Sequence, residues 1–521
     1  MANSKLESLS LSNLKNIKTI DDINQEEVNI NEFDISCSDY RGVSEDVFYN
    51  IFLIFCNNFG NDGVKYFFSK FSCILEKANI NSEEVLKNEQ ILIIVEVVMF
   101  AVKSLFDALI AVRFDDIITN FINIFLKSNV LRNDRLLHSF LVFLDQGSQF
   151  VAVNDESVEL SIKLLANLIR MKKLDIICCD VLLNITDYLT KPYINYYLLC
   201  FPLFEERFDN LNKDSLVYFA NALCNLIAFK DKKNKKSALG TPIEDVIKYN
   251  SMLLNVSISK IIQNHDSFIA KKVVLNNENQ KLIKESFINC YAVVNIILKE
   301  ACYLQKNIFN ELCFIFLDKS FTITEMIFEI YHSDSSFITE LSCIFTKIIT
   351  HLEEKSLNYF DQLNNLMLKC FSNNSDNYEC LNVLCNLYRI AGMFHSDKVS
   401  LIAQNFSCIT EIIHRNLALT KTRQIEIVQS FANLFTVILE MVNFIVLDKD
   451  KLYKDINLFC EAISNIAEPN MNKVVIKFFN RFINSTKIFP IEIIMNLAEN
   501  IIFICIKSCS HFEIGISLEV Y

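Results

Sequence analysis

ILIIVEVVMFAVKSLFDALIAV, Ile91 to Val112, is long and apolar enough to cross a bilayer, and whether it does decides the fold. Glu96, Lys103 and Asp107 interrupt it at spacings of seven and four residues, which place all three charges on one face of a helix. Charges inside a membrane are costly, whereas a helix enclosed by its neighbours on most sides and wet along one strip accommodates them. The stretch therefore predicts a helix packed among other helices, with no membrane insertion.

The same reasoning extends to EPNMNKVVIKFFNRFINS, Glu468 to Ser485. Val474, Val475, Phe478, Phe479, Phe482 and Ile483 recur as adjacent pairs four residues apart and form a wide apolar stripe. Lys473, Lys477 and Arg481 fall between them once per turn, so this stripe faces protein and not lipid. Pro469 and Asn470 suit a helix start, because proline's missing N–H is harmless in a first turn and asparagine's side chain can bond an orphan amide.

Of the 521 residues, 51% are hydrophobic, which supplies one large core or a long series of small ones and excludes a chain disordered throughout. Only 7 Gly and 5 Pro are present, too few for the tight turns of a sheet-rich protein. Heavy use of asparagine reads as compositional bias. The net charge of -12 repels nucleic acid and anionic membrane on average and favours basic protein partners. The 18 cysteines, among them Cys290, Cys302, Cys343 and Cys385 inside apolar helical patterns, read as reduced and buried. The first thirty residues hold no charged leader followed by an apolar block, so no secretory signal is expected and the chain is placed inside the cell.

Residues 1–31 read as a flexible polar leader. Beyond them helical periodicity continues to about Ser508, with segments at Ser44–Cys56, Val64–Ala78, Glu83–Val112, Asp115–Lys127, Asn133–Leu144 and Asp155–Met171 at the start. Short cap-like connections separate the helices, as at Asn154-Asp155, Lys191-Pro192, Ser335-Ser336, Asn373-Asn374-Ser375 and Ser396-Asp397. Two helices and their loops occupy roughly 40 residues, the period of HEAT or armadillo arrays. The expected fold is all-α, a solenoid of stacked antiparallel helix pairs over residues 32–521, in which wide apolar stripes serve as stacking surface. One composition shift stands out, the basic run KDKKNKKSALGTP, Lys230 to Pro242. It reads as a solvated loop between repeats, or else as a partner-contacting or nuclear-localisation-like segment through Lys232, Lys233, Lys235 and Lys236.

No phosphate-cradling glycine loop, nucleophile elbow or H-E-x-x-H pattern occurs. Cys178-Cys179, Cys380 with Cys385, and Cys505 with Cys509 all lack C-x-x-C spacing; Cys505, Cys509 and His511 could share a metal, but buried packing is the plainer reading. His138, His265, His332, His351, His395, His414 and His511 are scattered, and Glu353 with Glu354 reads as a solvated helix face. No catalytic residue, cofactor or metal site is assigned, no basic stripe interleaved with aromatics points to nucleic acid, and the chain is read as a binding protein and not an enzyme.

Five segments, in order, resemble the importin-β superfamily of nuclear transport receptors, in particular its transportin-SR branch: EFDISCSDYRGVSEDVFYNIFLIFCNNFG (Glu32–Gly60), VEVVMFAVKSL (Val95–Leu105), ESVELSIKLLANLI (Glu156–Ile169), MIFEIYHSDSSFITELSCIF (Met326–Phe345) and NMNKVVIKFFNRFINS (Asn470–Ser485). The resemblance implies a HEAT-repeat receptor (importin-β, or karyopherin) that binds protein cargo, with basic nuclear proteins expected, shuttles between nucleus and cytoplasm, and meets nuclear pore proteins and the GTPase Ran. It starts well inside those longer receptors, so the repeats that hold Ran are expected to be missing. The segment corresponding to the branch's arginine-rich helix, KLIKESFINCYAVVNIILKEACYL (Lys281–Leu304), contains no arginine, which argues against phosphorylated SR cargo. The competing expectation is a structural α-solenoid subunit of a coat, pore or other assembly.

Overall fold

The computed structural model describes residues 30–106, 109, 115–228, 240–271, 277–419 and 425–441, together with 478–480, 495, 498 and 502. Among them there is no strand, and the helices fall into two compact units divided after Pro242.

The first unit contains α1 (Ile30–Ala78), α2 (Glu89–Lys103), α3 (Asp115–Leu126), α4 (Asp134–Gln146), the single turn α5 (Ser148–Val151), α6 (Asp155–Arg170), α7 (Asp175–Asp187), α8 (Ile194–Arg207) and α9 (Lys213–Ile227). The second contains α10 (Ile243–Lys271), α11 (Asn277–Cys302), α12 (Lys306–Tyr331), α13 (Ser335–Leu352), α14 (Phe360–Asn373), α15 (Glu379–Phe394), α16 (Val399–Leu419) and α17 (Ile425–Met441). Within each unit the long helices pack as consecutive pairs: α1 with α2, α3 with α4, α6 with α7 and α8 with α9, then α10 with α11 through α16 with α17. The second helices of successive pairs also pack on one another, α2 to α4 to α7 to α9 and, separately, α11 to α13 to α15 to α17. First helices do likewise, as α3 to α6 to α8. This is the α-solenoid architecture expected from the helical rhythm: each helix buries one stripe on its partner and another on the next pair.

Asparagine explains where many helices begin. Asn88, Asn133, Asn154 and Asn212 each accept, through the side-chain oxygen, the amide of the residue three positions on, at 3.3, 3.1, 3.0 and 2.8 Å. Asn88 also splits the expected Glu83–Val112 segment: a 3-10 turn, Glu83–Lys87, precedes it and α2 starts after it. Ahead of α13 the capping residue is Asp334, one position before the expected serine pair, because its carboxylate reaches the Phe337 amide at 3.0 Å. The expected Ser44–Cys56 and Val64–Ala78 helices are parts of α1, broken at Gly60, whose φ of 54° and ψ of -138° suit only a residue without Cβ. Ile30 and Asn31, assigned to the leader from sequence, are helical; the rest of the leader lies outside the described residues.

The membrane question is answered within α2. Val95, Val98, Met99, Ala101 and Val102 are buried in the unit, while Glu96 sits on the partly wet side. Among the described residues no helix is long and apolar enough to cross a membrane. The stripe of Glu468–Ser485 is described only at Phe478 and Phe479, where it is buried, with the Phe478 ring 5.0 Å from that of Phe435 in α17. At these two residues it is stacking surface, as the spacing predicts.

Candidate functional site

Among the described residues the feature that is both continuous and chemically distinctive is the row of second helices, whose part-wet faces are linked by side-chain rungs. In the first unit Glu96 on α2 accepts from Arg135 at 2.6 Å and from Ser139 at 2.7 Å, both on α4. Asp145 at the end of α4 accepts from Asn184 on α7 at 2.6 Å, and Asp187 at the end of α7 accepts from Asn225 on α9 at 2.7 Å. The main rungs join residues 39, 39 and 38 positions apart, so equivalent positions of successive pairs bond to each other. This is the repeat period written in hydrogen bonds.

Asp180, Asn184 and Asp187 lie at helical spacing on one face of α7, next to Asp145 of α4. Burial first, and then the neighbouring Asp145 carboxylate, raise the Asp180 carboxyl above the usual carboxylate range. In these rungs Arg135 and the Ser139 hydroxyl donate to Glu96, and neutral side-chain amides donate to Asp145 and Asp187. Asp145 and Asp180 form an acidic pair on this face, and half-buried Val142 and exposed Val97 and Tyr188 lie near the rungs in sequence.

In the second unit the corresponding row is mixed in sign. Asn295 on α11 donates to Glu340 on α13 at 3.0 Å and accepts from Lys347 of the same helix, and Thr339 donates to Glu379 on α15 at 3.1 Å. A cavity of about 200 Å³ opens where α11 ends, α12 begins and α13 ends, lined by Cys302, Lys306, Phe309, His351 and Glu353 among others. Lys306 and Glu353 pair there at 2.8 Å. Burial, then Lys306, hold the His351 imidazole below its usual value, so it is neutral at pH 7. Glu353 and Glu354 are exposed, as expected, but on a 3-10 turn and not on a helix face.

The described cysteines of the paired positions are packing groups. Cys178, Cys179, Cys380 and Cys385 are buried, and burial pushes the Cys178 thiol up to about 12 and that of Cys385 to about 11. Among the described residues no group of three or more His, Cys, Asp or Glu side chains is arranged to hold a metal. Cys505, Cys509 and His511 lie outside the described residues. So do Lys232, Lys233, Lys235 and Lys236; of their segment only the end is described, where Thr241 donates to the Ile227 carbonyl at 2.8 Å.

Sequence reasoning missed the rungs. The signal was available: Glu96 with Arg135, and Asp145 with Asn184, sit on wet strips one repeat apart. Finding them requires the register of each helix pair, which no repeated consensus supplies.

No protein-family model matches the chain, and no curated protein does. Among solved structures, one titled importin 13 in its cytosolic state is similar, with a TM-score of 0.62, 11% sequence identity, and coverage of 94% of this chain and 52% of that one. The chain thus spans about half the length of the structure it matches. At that identity the likeness is one of fold: this is an importin-like helical-repeat solenoid.

Proposed function

We propose that the chain is a binding-only nuclear import receptor of the importin-β type, and that basic protein cargo lies along the second-helix row of the first unit. The observation that carries the reading is the acidic pair of Asp145, which accepts from the neutral amide of Asn184, and Asp180, whose carboxyl is raised by burial and by Asp145. A basic peptide brings cations to this acidic pair, and the apolar side chains beside it add contact area. The likeness in fold to importin 13 supports a protein-binding role. The transportin-SR branch, shuttling between nucleus and cytoplasm, contacts with pore proteins and Ran, and the absence of catalysis all remain parts of the proposal. The lysines Lys232, Lys233, Lys235 and Lys236 are proposed as a second, basic contact for acidic partners.

The test is purification of the tagged chain from its own cells, with bound proteins identified before and after addition of Ran locked in its GTP state. A receptor releases basic nuclear proteins on that addition, since cargo and Ran-GTP compete through coupled sites. The combined Asp145→Asn, Asp180→Asn and Asp187→Asn variant should lose those proteins by about tenfold. A fixed set of partners that ignores both changes would instead mark a structural scaffold subunit.

A further inference from the structure

The cavity of the second unit plays no part in the function proposed above, yet its lining is chemically specific. Ala301, Leu304 and Phe309 give it an apolar wall, and Lys306 and Glu353 line it as an ion pair 2.8 Å apart. The His351 ring lies 4.8 Å from that of Phe309 and continues the wall with a second flat surface. At about 200 Å³ the cavity is smaller than the roughly 300 Å³ or more of pockets for drug-sized ligands, and suits one long side chain or a compact molecule.

Its chemistry favours a cation. The last turns of α11 and α13, the negative ends of two helices, line it, against the first turn of α12 alone. His351, neutral at pH 7, offers a ring nitrogen as acceptor. Glu353 brings a full negative charge, and does so from a φ of 51° and ψ of -124°, a strained backbone conformation of the kind that gathers at ligand sites. Lys306, its counter-ion, is more than half exposed, so the pair is weak and exchangeable. That lysine also sits at the start of α12, where the helix dipole disfavours a positive charge. Lys347, one turn before His351, is outside the lining and donates to Asn295. A guanidinium can do what the Lys306 ammonium cannot: pair with the carboxylate through two parallel bonds and lie flat on the Phe309 and His351 rings. We propose that Phe309, His351 and Glu353 form a guanidinium subsite, opened when Lys306 swings away, whose ligand is an arginine side chain of a partner protein or a small molecule bearing the same group. The subsite stands or falls independently of the acidic pair in the first unit.

Calorimetric titration of the full chain with Nα-acetyl-arginine methylamide, its lysine counterpart and agmatine tests this. The arginine probe should bind saturably and about fivefold more tightly than the lysine probe. Glu353→Gln should weaken it by about tenfold, whereas Lys306→Met, which removes the competing ammonium, should strengthen it by about threefold. A merely structural Lys306–Glu353 pair predicts no such gain. Both substitutions fall on exposed side chains, and unchanged circular dichroism checks that the variants fold. Agmatine, a guanidinium without peptide groups, assigns the source: a partner's arginine if it binds more weakly than the arginine probe, a small molecule if it binds more tightly, and either order supports the subsite. Failure of both guanidinium probes to bind the parent and Lys306→Met would overturn the proposal. So would equal affinity for the arginine and lysine probes, or binding that Glu353→Gln leaves unchanged.

Discussion

Arg207, at the end of α8, places its guanidinium 2.6 Å from the carboxylate of Asp175 at the start of α7, and the arginine side chain is only 3% exposed. Among the described residues its Nε and Nη1 atoms find no hydrogen-bond partner. A single carboxylate therefore compensates a buried cation, and removing that carboxylate leaves the charge unpaired. Asp175→Ala should lower stability by about 3 kcal/mol, whereas Arg207→Met, which removes the charge and keeps the volume, should stay within about 1 kcal/mol of the parent. Urea midpoints followed by circular dichroism at unchanged slope check the contrast. Equal losses in the two variants would mean that packing and not charge dominates this contact.

Gly392 of α15 lies directly against Met441 of α17. A Cβ built on it would stand 1.8 Å from the Met441 sulfur and 2.6 Å from its Cγ. Methionine is flexible, so the side chain can leave, but its contacts go with it. Gly392→Ala should cost about 1 kcal/mol net of the helix propensity it gains, and Gly392→Val about 3 kcal/mol. Met441→Ala in the same chain should recover most of the first loss. A double variant no more stable than Gly392→Ala alone would place the strain elsewhere.

Asp334 caps α13 and pairs with Lys284 of α11 at 2.6 Å. Burial by itself would raise its carboxyl, but the bonds from Lys284 and from the Phe337 and Ser336 amides outweigh it and hold the group below the usual carboxylate range. Because the folded value is depressed, the stabilisation is present above the unfolded value of about 3.9 and is lost as pH falls through the folded one. Asp334→Ala should cost about 1 to 2 kcal/mol at neutral pH and progressively less below pH 4. Asp334→Asn keeps the cap and should lose less. A pH-independent loss for the alanine variant would rule out the ionised form as the source.

The fold was legible wherever local physics decides it. The strip of Glu96 in an apolar run excluded the membrane, and it is Glu96 that bonds Arg135 and Ser139 across the stack. Less legible was what asparagine does. Asn88, Asn154 and Asn212 start helices, and Asn184, Asn225 and Asn295 bridge them, yet composition alone presents the residue as bias. A cap is a local pattern and could be found at Asn154; a rung joins residues 38 or 39 positions apart and needs the register of two helices at once. For the same reason the Arg207–Asp175 pair could not be seen, since two charges 32 positions apart look like two solvated side chains until helix packing buries one of them.

Asp180 offers a test in which stability and the proposed function pull in opposite directions. Its carboxyl is raised, by burial and then by Asp145, so the folded state holds the proton more tightly than the unfolded chain does. The stabilisation from that proton is fully present below the unfolded value of about 3.9 and is lost as pH rises through the higher folded value. At neutral pH the ionised Asp180 is therefore a cost to the fold. Asp180→Asn should gain up to about 0.5 kcal/mol near pH 7, the scale of relieving a like-charge pair, and the gain should vanish below pH 4. If the acidic face binds basic cargo, the same substitution should weaken binding of a lysine-rich peptide by roughly threefold, and most at low salt, where charge pairing is least screened. A variant that gains stability and binds the peptide unchanged would separate this face from the cargo, and the reason for holding two carboxylates together would have to lie in the stacking of α4 on α7.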